Sequence, residues 1–211
     1  MLTSVRRKSL RAGNARFAIV ASRYNARYVD AMLRAAKAEL KRAGAKNVQV
    51  IRVPGAYEIP IVAARLARLS AESARSPLST LLGASKRFAS PTCRVGAQRR
   101  RESDEGGSED GQAPRSPSAI LCLGVILRGQ TVHAAHIGDA VSRALMEIQL
   151  RYEVPVIHEV LLLENEEQAR ARCLSRNHNR GAEAAQTAIA MAKTMAGLSP
   201  DFDRSLGHRD M

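Results

Sequence analysis

At 211 residues and 45% hydrophobic content, the chain is long enough for one domain with additions, or two small ones, around a sizeable core. Aromatics make up only 3% and Trp is absent, so that core must rest on Ala, Val, Ile and Leu. The net charge of +13, carried mainly by Arg, raises a nucleic-acid partner, but the charges spread over predicted helix faces and termini without interleaved aromatics for base stacking, which argues against one.

Residues 1–15 read as a flexible basic arm (Arg6, Arg7, Lys8, Arg11) with no apolar stretch after it of the kind a secretory signal needs. Arg16–Ala21 is a buried-type strand, followed by the turn-prone Ser22–Asn25. From Tyr28 to Arg42 the positions Val29, Met32, Leu33, Ala36 and Leu40 recur at helical spacing, and Gly44 ends the helix. Val48–Val53 is a second strand, stopped by Pro54-Gly55. A helical pattern resumes from Tyr57 to Leu69, with Pro60 tolerated in its first turn.

The rhythm then collapses. Residues 70–118 are rich in Ser, Arg, Gly and acids, and a structureless stretch that long reads as a disordered insertion rather than part of a compact domain. Ala119–Val125 restarts the pattern as a third strand, and His133–Tyr152 is a long helix with the stripe Ile137, Val141, Leu145, Ile148. Val154–Leu163 is a fourth strand that tolerates Pro155 at its start. Asn165 caps a short helix through Cys173, and an Ala-rich helix runs from Gly181 to Ala196, ahead of a flexible tail over 198–211. Alternating strands and helices predict an α/β fold, a parallel sheet with helices on both faces and ligands at the carboxyl ends of the strands. No apolar run reaches membrane-spanning length. Cys93, Cys122 and Cys173 form no CxxC and read as reduced thiols of a cytoplasmic protein.

Polar residues gather after strand ends in four places. They are Tyr24-Asn25, the block Pro54–Pro60, the stretch Arg128–His133, and the region Arg172–Gly181. The third block combines a fixed cation, a glycine that lets backbone approach a ligand, a hydroxyl, a helix start and an imidazole. Those are the parts of an anion site beside a proton carrier. Tyr24 taken alone reads as core packing, and the neighbouring Asn25 moves it to the site. Glu58 reads equally as a first-turn helix residue or a ligand contact. Arg172 could instead pair with Glu167 or Glu183 on a solvated face. His136, one turn after His133, suggests a metal pair, but no third ligand has suitable spacing.

Taken together, PGAYEIP, GVILRGQTVH, Glu167–Arg172 and Asn179–Glu183 resemble the 6,7-dimethyl-8-ribityllumazine synthase family over residues 16–69 and 119–196. The resemblance implies a flavodoxin-like three-layer sandwich with a four-stranded parallel core sheet. It also implies condensation of 5-amino-6-(D-ribitylamino)uracil with L-3,4-dihydroxy-2-butanone 4-phosphate, without metal or cofactor. Position by position, Tyr24 matches the aromatic on the pyrimidine, with Asn25 beside it. Ala56, Tyr57 and Glu58 match the turn that holds the ribityl chain, and Val125 and Ile126 the backbone that reads the uracil edge. Gly129, Gln130 and Thr131 match the phosphate loop, His133 the general acid/base and Arg172 the phosphate-binding arginine. Arg128 becomes structural or intersubunit.

Three departures stand out. Arg180 replaces the usual lysine near the ring, Ala134-Ala135 removes a local acid that would orient His133, and His158-Glu159 replaces Phe-Gly, with His158 as a weaker stacking wall or a second titrating group. The partners implied are small-molecule substrates, further copies of the chain (a pentamer, or a sixty-subunit shell) and riboflavin synthase. The alternatives are a non-catalytic binder of riboflavin or ribityl compounds, and a shell-forming scaffold.

Overall fold

The computed structural model describes residues 10–75 and 116–198. The strands are β1 (Arg16–Ser22), β2 (Asn47–Val53), β3 (Ala119–Leu127) and β4 (Val156–Leu163), and the long helices are α1 (Ala26–Arg42), α2 (Ile59–Arg75) and α3 (His133–Tyr152). A short α4 (Glu166–Ala169) runs into a π-helical turn at Arg170–Leu174, and α5 (Arg180–Gly197) closes the fold. The four strands form one parallel sheet in the order β2-β1-β3-β4, as expected for a flavodoxin-like α/β fold.

Burial follows from that order. β3 sits inside the sheet and is covered on both faces, so Ala119–Ile126 are all buried, and an unbroken apolar run is what such a strand requires. The edge strand β2 alternates exposed and half-buried positions over its first four residues and is buried only at Val53. α1 and α5 cover one face, where Met32, Ala36 and Leu40 meet Ala184, Ala185, Ala188 and Ile189. α2 and α3 cover the other, with Ile59, Ala63, Val141, Leu145 and Ile148 against Val20, Ile120 and Cys122. Small residues bring these layers close. A Cβ on Gly181 would lie 2.0 Å from the Met32 carbonyl oxygen, so only glycine lets α5 start against α1. A Cβ on Gly124 would meet Val160 at 3.1 Å and Ile59 at 3.2 Å, and the glycine lets α2 sit low on the sheet.

Several boundaries differ from the sequence reading. Ala12 is buried and its N–H donates to the Ala43 carbonyl at 2.9 Å, so the domain begins before residue 16. α2 begins two residues after Tyr57 and continues to Arg75, beyond the expected end at Leu69. Ser70, expected to open the insertion, is buried in that helix, and its hydroxyl reaches the carbonyls of Leu66 (3.2 Å) and Pro117 (3.3 Å). Ser116 Oγ also donates to the Leu69 carbonyl at 3.2 Å, so the chain leaves and re-enters the fold at one place. The intervening 76–115, with Cys93, lies outside the described residues, as do 1–9 and 199–211. Cys122 and Cys173 are buried free thiols. No helix among the described residues is long and apolar enough to cross a membrane.

Candidate active site

Three of the four polar blocks converge where β1 and β3 part company, the position at which strand order reverses and an open parallel sheet leaves a crevice. The loop leaving β1 is pinned to the loop leaving β2. Arg23 N–H donates to Val53 O at 2.8 Å, and Tyr24 N–H to Pro54 O at 3.0 Å. Arg52 braces the same corner from β2, donating to Ser22 O at 2.9 Å and pairing with Asp30 at 2.5 Å. Asn25 adopts a left-handed conformation (φ 56°), which Asn tolerates better than most residues, and its Nδ2 donates to Val125 O at 2.8 Å. That bond spans the crevice and ties Asn25 to the backbone the resemblance assigns to the uracil edge. Tyr24 and Tyr57 project into solvent at 71% and 64% exposure, so neither is core packing.

Ala56 is buried, and Glu58 resolves the ambiguity of its position in part. It precedes α2 rather than lying in it, and its Oε2 accepts from Gly55 N–H at 2.8 Å, closing the turn. Its other oxygen has no hydrogen bond among the described residues and faces no such constraint.

Beyond β3 the character changes abruptly. Val125 and Ile126 are buried, whereas Gly129, Gln130, Thr131, Val132 and His133 are all exposed. α3 starts at His133 with no side-chain cap and no acid in its first turn; Thr131 does not cap it. The first N–H groups of a helix have no partner within it, so this start presents unmatched donors and the positive end of the helix dipole. A Cβ on Gly129 would meet nothing within 4 Å, so open space lies over the loop. The ring of His133 makes no hydrogen bond among the described residues. Arg128 pairs with Glu164 at 2.9 and 3.1 Å. Among the described residues no group of three or more His, Cys, Asp or Glu side chains could hold a metal ion.

The fourth block stands apart. β4 alternates its side chains between faces, which sends His158 toward α3 and Glu159 toward α5. His158 Nε2 lies 2.9 Å from Ser142 Oγ, which donates to Gly138 O at 2.8 Å. Val160 N–H donates to Nδ1 at 3.3 Å, so the ring proton sits on Nε2, which donates to the serine oxygen. Burial holds the His158 pKa below its ordinary value. His158 is nonetheless an exposed residue of β4, with its ring bonded to α3.

Glu159 is buried and accepts from Arg180 through both oxygens, Nε and Nη2 each at 3.0 Å, while Arg180 Nη1 donates to Glu183 at 2.6 Å. Burial pushes the Glu159 carboxyl up to about 7, against the pull of Arg180. The sequence placed Arg180 near a ligand ring; folding engages it with two carboxylates. Arg172, on the π-helical turn, is half-buried and without an ion pair or hydrogen bond among the described residues, not with Glu167 or Glu183 either. The turn packs with α1 and α5, whereas His133 opens a helix that packs on the opposite face of the sheet.

A family model described as 6,7-dimethyl-8-ribityllumazine synthase matches residues 14–81 and 111–196. The chain belongs to the lumazine synthase family. Among the relatives, the 6,7-dimethyl-8-ribityllumazine synthase of Stenotrophomonas maltophilia (strain R551-3) is 34% identical over 187 residues, covering 88% of this chain and 92% of its own length. That of Xanthomonas campestris pv. campestris (strain B100) is 32% identical over 188 residues, covering 88% and 93%. The family match omits 82–110, which falls within the stretch 76–115. The ion pairs of Glu159 and Glu164 are what the sequence reading missed. An acid in an apolar strand was the available signal for the first; nothing local signalled the second.

Proposed function

We propose that this chain is a transferase that condenses 5-amino-6-(D-ribitylamino)uracil with L-3,4-dihydroxy-2-butanone 4-phosphate, releasing phosphate and water, in the cytoplasm. The uncapped start of α3, opening at the strand-order reversal beside the Asn25–Val125 bridge, carries the reading. A phosphate seats on the amides of Gly129–Thr131 and the first N–H groups of α3, with Arg172 as the matching cation. The pyrimidine lies against Tyr24 and Asn25 with its edge at Val125 and Ile126. The ribityl chain runs over Ala56, Tyr57 and Glu58.

The arylamine nitrogen of the uracil attacks the butanone carbonyl, and loss of water gives an imine. A proton leaves the adjacent carbon as the C–O bond to phosphate breaks, producing an enol. The enol takes up a proton on its terminal carbon and gives up its hydroxyl proton to become a ketone, and the second amine closes the ring with loss of another water. His133 moves these protons, since an imidazole titrates near neutral pH. Cations and amides at the phosphate stabilise its departure, and holding two small substrates side by side supplies much of the acceleration.

A homo-oligomer completes the site. His133 and Arg172 occupy different faces of one chain, so a neighbouring copy brings its Arg172 to the α3 start. Met146 (55% exposed) and Leu150 (71%) on α3, with Ile61 on α2 and Tyr57 just before it, expose apolar side chains suited to such contacts. A pentamer, alone or in a sixty-subunit shell, and association with riboflavin synthase belong to the same reading. The segment 82–110 is then an insertion that leaves the core intact.

His133→Ala and Arg172→Ala should each lose turnover while remaining folded. Unfolded, mixed and refolded together, they should regain about a quarter of wild-type activity, because a site built between random neighbours is intact in about one case in four. Full activity in both single variants would sink the assigned roles, and failure of the mixture to recover would sink the shared site.

A further inference from the structure

A carboxylate as buried as that of Glu159, 6% exposed within β4, is costly unless it is paired and fully hydrogen-bonded. Here the pairing is a two-pronged fork, Nε and Nη2 of Arg180 each 3.0 Å from a separate carboxylate oxygen. The third prong, Nη1, goes to Glu183, so the guanidinium is held along both edges. Arg180 is the first residue of α5. Before it, Asn179 accepts from Gly181 N–H at 2.9 Å and donates to the Cys173 carbonyl at 2.5 Å, tying the start of α5 to the turn that bears Arg172. A continuous line of bonded groups therefore runs from Glu159 through Arg180 and Asn179 to the residue beside Arg172.

We propose that Glu159 is a positioning residue for phosphate recognition: by gripping Arg180 it fixes the start of α5 and, through Asn179, the turn that aims Arg172. The proposal rests on the role given to Arg172 above. Two effects of the carboxylate have opposite signs. Its negative charge near Arg172 opposes an incoming anion, so a purely electrostatic neighbour would, on removal, tighten phosphate binding. A positioning residue would, on removal, weaken it.

The test titrates inorganic phosphate calorimetrically into the full-length protein at pH 8.5, where Glu159 is ionised, and at fixed ionic strength, as wild type, Glu159→Gln and Arg180→Lys. Glutamine keeps the shape of the side chain without the charge, and lysine keeps the charge without the fork. Phosphate affinity should fall about tenfold in both, and in turnover the KM for the phosphorylated substrate should rise more than kcat falls. Affinity equal to or tighter than wild type in folded Glu159→Gln overturns the proposal, as does a wild type that binds no phosphate. Should Glu159→Gln fail to fold, unchanged affinity in Arg180→Lys overturns it. Wild-type turnover is a separate readout: lumazine formation with unaltered phosphate binding in the variants defeats this inference alone.

Discussion

Gly181→Ala separates helix propensity from packing. Considered as a helix residue alone, the change should stabilise the protein by up to about 1 kcal/mol, because alanine is the better helix former and restricts the unfolded chain. The fold predicts the opposite. The new Cβ would sit 2.0 Å from Met32 O, 2.5 Å from Met32 C and 2.7 Å from Met32 Cα, all backbone atoms inside α1 that no rotamer change can move. Reaching the 3.4 Å at which ordinary contact begins requires α5 to retreat by about 1.4 Å, lifting Ala184, Ala185 and Ala188 off Met32 and Ala36. Overpacking of this kind costs about 1–3 kcal/mol and more where backbone cannot yield, so a net loss of about 3 kcal/mol is expected. For a domain of this size that lowers Tm by roughly 6–12 °C. Thermal melts followed by circular dichroism at one fixed protein concentration check it. A variant as stable as wild type, or more so, would refute the proposed closeness of α1 and α5.

Gly129→Ala asks whether the open loop receives a ligand. No atom lies within 4 Å of the added Cβ, so stability should stay within about 0.5 kcal/mol while the KM for the butanone phosphate rises about tenfold. Unchanged steady-state kinetics would place the phosphate elsewhere. Glu159 also predicts a pH dependence of stability. Its folded-state pKa is raised from 4.5 to about 7 by burial, with Arg180 and Arg172 opposing and Glu183 reinforcing, so the native state retains a proton that the unfolded chain has already lost. Its contribution to stability is therefore full below about pH 4.5, declines as pH rises toward 7, and is level above that. Urea midpoints for wild type and Glu159→Gln at pH 5 and pH 7.5 should differ accordingly; parallel midpoints across that range would contradict the buried titration.

The sheet and its helices were legible because period and length agree in each element. The stripe of α1 and the apolar run of β3 admit few alternatives. The end of α2 was not. Ser70 looks like a loop residue, but its hydroxyl bonds to Leu66 O and Pro117 O, and Pro117 lies 47 residues away in sequence. The same limit governs the site. Blocks next to β1, β2 and β3 could be read because each follows its strand directly. The fork of Glu159 and Arg180 joins residues 21 apart across a strand and a helix start, and the turn at His158 toward Ser142 depends on which face β4 presents to α3. Local sequence carries propensities, and such pairings exist only once the layers are packed.

The most direct measurement mixes purified protein with 5-amino-6-(D-ribitylamino)uracil and L-3,4-dihydroxy-2-butanone 4-phosphate and follows lumazine fluorescence alongside released phosphate. One lumazine per phosphate, formed faster than in the protein-free mixture and lost in His133→Ala, is the predicted result. Product formation no faster than in the protein-free mixture, by a folded protein that still binds the ribityl substrate, would contradict the enzymatic reading and leave a binding protein of the same fold.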